Sequence, residues 1–138
     1  AGIAIIMDFA NFLMKNPFAE GDKILSHVLN AQHIWNARVS DTRSIYDIWQ
    51  VHHIEQCAQI NQKNFNQSLN LIVGVSLQEG HTYIEHTGEV YTNNVIDILN
   101  HVLQHSTYHR GQIAFKAGEA GLRPPTTDFI NYIRNYKE

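Results

Sequence analysis

The chain has 138 residues, 43% of them hydrophobic and 17% charged, which are the proportions of one globular domain and too apolar for a disordered segment. Its formal net charge is -3 and its Lys and Arg residues are scattered, so neither nucleic acid nor an anionic membrane is expected as a partner. With a single cysteine, Cys57, no intrachain disulfide or thiolate metal cluster can be assembled, and a reducing cytoplasm is the expected location.

Residues 1–7 are apolar, but they lack a basic leader and are followed by Asp8, Asn11 and Lys15, so they read as neither a signal peptide nor a membrane anchor. No initiator methionine stands first, and native residues are expected to precede Ala1. Ile6, Phe9, Ala10, Leu13 and Met14 make a broad apolar face and predict a first helix over 3–15. It ends at Asn16-Pro17, because the residue before a proline resists the helical conformation. Asp22 is a candidate N-cap for a second helix reaching about Val39, with Ile24, Val28, Ala31, Trp35 and Arg38 at steps of three or four. After the polar residues 40–44, the spacing of Ile48, Val51, Ile54, Ala58, Phe65 and Leu69 predicts a long third helix over 45–71.

Between Thr82 and Thr92, β-formers flank the turn-like His86-Thr87-Gly88-Glu89, which predicts a small hairpin. Thr92-Asn93-Asn94 then caps a fourth helix with an inner stripe of Val95, Ile98, Val102, Ser106, His109, Ile113 and Ala117, ending near 118–121. Pro124-Pro125 blocks any continuation, and 129–133 read as a short closing helix. No repeat or low-complexity tract divides the chain. Residues 1–138 therefore read as one all-α domain, a four-helix bundle with a small β-hairpin before the last long helix and a short C-terminal helix.

The compositional oddity is nine histidines. His52, His53, His81 and His86 lie in polar surroundings without a partner at helical spacing; they read as solvated and receive no role. His105 and His109 differ, because four positions on a helix turn a side chain by only about 40° and lift it about 6 Å, so both rings lean toward one point. On the second helix His27 falls among Ile24, Val28 and Ala31 on the core side, whereas His33 lies about 600° further round on a different flank. His27 is thus the better third donor. His101, four residues before His105, either replaces one of the pair or supports it from outside, and ranks below.

Three neutral imidazoles from two helices suit Zn²⁺ or Ni²⁺ and leave coordination positions for water or substrate. Each histidine also has a plainer reading. A lone one on a half-apolar face is more often a hydrogen-bonded core residue, and nine in a chain this short give close spacings by chance. Trp35 and Trp49 read as core or pocket-rim packing and Cys57 as a small packing residue. No nucleophile elbow, Cys/His signature or glycine-rich phosphate loop is present.

Three runs carry a resemblance: Leu25-Ser26-His27-Val28-Leu29-Asn30-Ala31-Gln32-His33-Ile34-Trp35, then His105-Ser106-Thr107-Tyr108-His109-Arg110-Gly111-Gln112, and the late Gly121-Leu122-Arg123-Pro124-Pro125. Together they make most of the chain resemble the DinB/YfiT-like family. That resemblance implies a four-helix bundle, frequently a homodimer, holding a divalent metal on His27, His105 and His109. It further implies a metal-dependent enzyme akin to thiol S-transferases or hydrolases, in which the metal activates water or a low-molecular-weight thiol toward a small-molecule substrate. A stress-related metal-holding protein without turnover, or a purely structural dimer, are the alternatives. Arg110 and Gln112 either orient groups around the metal or pack at the helix end. The chain departs from the commoner pattern in its short apolar first helix and in a brief connection between the second and third helices.

Overall fold

The computed structural model describes residues 2–135, in the order α1 (Gly2–Lys15), α2 (Ala19–Val39), α3 (Ile54–Gly74), β1 (Gly80–Ile84), β2 (Val90–Asn94), α4 (Val95–Glu119) and α5 (Phe129–Asn135). The four long helices, the hairpin and the closing helix that the sequence predicts are all present, but α2 and α3 begin elsewhere than expected. The strands pair antiparallel with Thr82 opposite Thr92, and Gly88 turns the chain with a φ of 87°, a conformation open to glycine at little strain. No described helix is long and apolar enough to cross a membrane.

α1 stops where Pro17 requires it, and the Asn16 side chain satisfies the Phe12 carbonyl. α2 starts one turn earlier than predicted. Phe18 is its N-cap, its carbonyl accepts from the N–H groups of Gly21 and Asp22, and Asp22 sits inside the first turn. Gly21 lets this corner close: a Cβ there would lie 2.6 Å from Leu13 Cδ2 and 2.7 Å from Phe18 Cζ. Burial, reinforced by the nearby Glu55, pushes the Asp22 carboxyl above the usual carboxylate range.

α3 begins at Ile54, and residues 45–53, predicted as helix, are instead irregular. The apolar residues that suggested a helix there are not a buried face: Ile45 is 74% exposed and Val51 57%. Side chains of α2 hold this segment open. Asn30 Nδ2 donates to the Gln50 carbonyl at 2.7 Å and to that of Ile48 at 3.4 Å, and the His52 amide donates to Ser26 Oγ at 3.0 Å. The connection between α2 and α3 is therefore a long strap lying on α2, not the brief link expected from sequence.

α2 packs against both α3 and α4, and α1 packs against α3. The main core gathers Phe9 and Leu13 from α1, Leu25 and Leu29 from α2, Cys57 and Ile60 from α3, and Ile113 and Ala117 from α4. A second cluster of Val39, Leu71, Val95 and Ile98 closes the far end. Between α2 and α3 runs a polar seam: Asn64 Nδ2 donates to the Leu29 carbonyl, Asn36 Nδ2 to the Asn64 carbonyl, and Ser68 Oγ to Asn36 Oδ1, each at 2.9 Å. The capping reading of the hairpin end holds, since Asn94 Oδ1 accepts from the Asp97 amide at 2.8 Å.

Candidate metal centre

α2 and α4 bring His27, His105 and His109 together, each offering one ring nitrogen, and those nitrogens all lie within 4.8 Å of one another. His27 is buried and the two α4 histidines are half-buried, so the group opens to solvent on one side. The i, i+4 spacing does what helix geometry demands: the His105 and His109 ring centroids are 4.4 Å apart, and His27 faces them at 4.8 and 4.6 Å.

The outer partners of two rings fix where their protons sit. His27 Nδ1 lies 3.1 Å from the Ile48 carbonyl oxygen, an acceptor only, so Nδ1 carries the hydrogen and Nε2 keeps its lone pair. His109 Nδ1 likewise donates to Gln112 Oε1 at 2.7 Å, leaving its Nε2 free to accept. His27 Nε2 then accepts from His105 Nε2 at 3.0 Å. For His105 to present a lone pair as well, its hydrogen has only to sit on Nδ1. That spacing is near the about 3.3 Å that separates two nitrogens in a tetrahedral site with zinc–nitrogen bonds of about 2.0–2.1 Å. The donor set, its tautomers and its spacing fit a divalent transition metal.

Electrostatics agree. Burial pushes the His105 pKa down to about 4, helped by His109, His27 and His101, and burial together with His109 pushes that of His27 down against the raising effect of the Ile48 carbonyl. Both rings are therefore neutral near pH 7, the form that coordinates.

The other histidines sort themselves around this group. His101 lies outside it, with its ring 5.6 Å from that of His105 and set edge-on to Trp35 at 5.3 Å. His33 sits on another flank, as expected, and its Nε2 accepts from the Ile45 amide at 3.3 Å. His52, read from sequence as solvated, is instead buried, and its Nε2 donates to Asn30 Oδ1 at 2.6 Å. Trp49 is a rim residue in a specific sense: its indole stacks on His27 at 3.9 Å with the planes 11° apart, and Lys23 Nζ lies 5.4 Å from the indole centroid. Sequence reasoning missed the Ile48 carbonyl and the stacking of Trp49, because both depend on the strap. Asn30 was the available signal, since an amide in an apolar stripe has to find backbone to bond. Of the two residues after His109, Gln112 orients the ring, while Arg110 is buried away from the histidines.

A cleft of about 850 Å³ does not touch the three histidines and lies on the other face of α4. The case for a metal rests on the converging nitrogens, not on cavity size.

Fold and site together define a helical-bundle protein with a three-histidine group that could hold a metal ion. The DinB family profile matches residues 13–138, and the chain belongs to that family. Among curated proteins none matches the sequence.

Proposed function

We propose that this chain binds one divalent metal, Zn²⁺ or Ni²⁺, through His27, His105 and His109, and that it is a metal-dependent enzyme acting on a small molecule with water or a low-molecular-weight thiol as nucleophile. The observation that carries this reading is the set of three nitrogens within 4.8 Å, with no fourth His, Cys, Asp or Glu donor in the group among the described residues. Three protein ligands with an open position are the arrangement of catalytic, not structural, metal sites. Bound there, the ion would supply Lewis acidity, lowering the pKa of a coordinated water or thiol so that a nucleophile is available near neutral pH.

The chain's own residues prepare that position. The Ile48 carbonyl and Gln112 aim the Nε2 lone pairs of His27 and His109 inward, so the donors need no rotation to act. Trp49 covers one face of the His27 ring and keeps water off it. Lys23, beyond the indole, adds a positive charge at the approach to the site. Family membership further supports a homodimer, and the single cysteine a reducing cytoplasm.

Elemental analysis of protein purified without an affinity tag is the direct test, with one equivalent of metal expected in the parent and little in His105→Ala. Conjugation of a low-molecular-weight thiol to a fluorogenic electrophile, or hydrolysis of an activated ester, should then stop on chelation and return with the metal. Full metal content in His105→Ala would remove that ligand from the assignment. A metal-loaded protein inert in both assays would favour a metal-holding role.

A further inference from the structure

The large cleft on the far face of α4 is walled by Ile5 of α1, Phe65 and Leu69 of α3, Leu99 and Leu103 of α4, and Phe129 of α5. Its volume of about 850 Å³ falls in the range of small-molecule sites. Much of this wall is open, with Leu103 59% and Phe129 61% exposed. Into it is set a charge. Arg110 is only 5% exposed, and its guanidinium donates to Ser106 Oγ and, at 3.2 Å, to Thr107 Oγ1, both of which line the same cleft. Its Nε is buried without a hydrogen-bond partner, and among the described residues no carboxylate pairs with it. A buried guanidinium held by two neutral hydroxyls is an incomplete arrangement, since burying an unpaired charge is strongly unfavourable.

We infer that this cleft is a second binding site, for an aliphatic chain ending in one carboxylate, with the carboxylate on Arg110 and the chain along the apolar wall. A planar carboxylate matches the two terminal nitrogens of arginine, which here already donate to the cleft-lining hydroxyls of Ser106 and Thr107. A phosphate would bring further charged oxygens to a wall whose exposed surface is mostly hydrocarbon and where polar groups such as Gln32 and Gln104 are neutral. Asp128 is the one acidic residue in the lining; it is exposed at the rim, where solvent screens it. The site is separate from the proposed metal centre, because none of the three histidines lines it.

Titration calorimetry at pH 7.5 with sodium decanoate below its aggregation threshold tests this. One equivalent should bind, and 1-decanol, which has the chain without the charge, should bind at least tenfold more weakly. Octanoate, two methylenes shorter, should bind roughly fifteenfold more weakly than decanoate, at about fourfold per buried methylene. Arg110→Leu should lose at least tenfold for decanoate and little for decanol. Leu103→Trp, on an exposed wall position that leaves the core untouched, should weaken both, so the test survives if the arginine variant fails to fold. His105→Ala should bind decanoate as the parent does, so a wrong metal assignment leaves this result standing. Equal affinity for decanol and decanoate, loss of binding in His105→Ala, or no saturable binding would overturn the inference. So would sedimentation showing a dimer that Leu103→Trp dissociates in protein that takes up no decanoate, because a second copy would then be the occupant.

Discussion

Replacing Asn30 by alanine should loosen the metal centre without touching a histidine. Asn30 is fully buried and ties the strap to α2 through three contacts: Nδ2 to the Gln50 carbonyl at 2.7 Å, Nδ2 to the Ile48 carbonyl at 3.4 Å, and Oδ1 to His52 Nε2 at 2.6 Å. The variant strands the buried His52 N–H, at about 1–3 kcal/mol, and releases the two carbonyls, so a total of about 2–4 kcal/mol is expected. At this chain length that lowers Tm by about 10 °C. The Ile48 carbonyl, which holds the His27 tautomer, loses its anchor, and metal affinity should fall about 10- to 100-fold, the usual effect of removing a ligand's outer partner. Urea unfolding and chelator competition measure the two effects. Asn36→Ala is the control: it breaks the α2–α3 seam at 2.9 Å contacts to Asn64 and Ser68 and should destabilise by a similar amount while leaving metal affinity alone. Equal weakening of metal binding in the two variants, or none in Asn30→Ala, would refute the strap argument.

Gln112→Leu removes the acceptor for His109 Nδ1 and should weaken metal binding about tenfold with an unchanged circular dichroism spectrum; a larger loss in helicity than in affinity would make Gln112 a structural residue. Gly21→Ala forces a methyl group to within 2.6 Å of Leu13 Cδ2 and should destabilise by about 1–3 kcal/mol in urea, an effect that vanishes only if the α1–α2 corner can open. Acid should destabilise the metal-free protein in a defined window. Burial holds His33 and His52 below the ordinary histidine pKa, so as pH falls the unfolded chain takes up protons first. Their contribution is therefore complete above about pH 6.5 and is lost below it, by about 1.4 kcal/mol per pH unit for each until its folded-state pKa is reached. His105, pushed down to about 4, extends the loss to that pH. Urea midpoints that stay level from pH 7.5 to 5 would contradict this.

How much of this was legible in the sequence depended on whether a residue's partners were local. α1 and α4 were readable because the periodic residues are the buried ones: Phe9, Leu13, Ile98, Ile113 and Ala117. The pairing of His105 with His109 was readable because helix geometry alone places them on one face. The choice of His27 over His33 followed from the same rotation, and the two rings do lie on different flanks. Residues 45–53 were not readable, since Ile45, Ile48 and Val51 carry helical spacing while their conformation is set by Ser26 and Asn30, some twenty positions earlier. The misreading of His52 has the same source: its polar neighbours in sequence said nothing about the amide waiting on α2.

The register of α4 ties the two proposed sites together. His105 and His109 occupy one face, and Ser106 and Arg110, each one position on and so about 100° round, occupy another. The His109–Gln112 contact and the Arg110–Ser106 contact therefore brace the same two turns from different sides. Because the two faces diverge, a carboxylate in the cleft would meet Arg110, Ser106 and Thr107 without touching either α4 histidine of the metal centre. Rotating that turn to favour one site would pull the other out of alignment, so α4 has to be held rigidly for either to work. Its end constraints supply that rigidity: Asn94 caps the start, and near the other end Ile113 and Ala117, with no exposed surface, lock the helix into the main core.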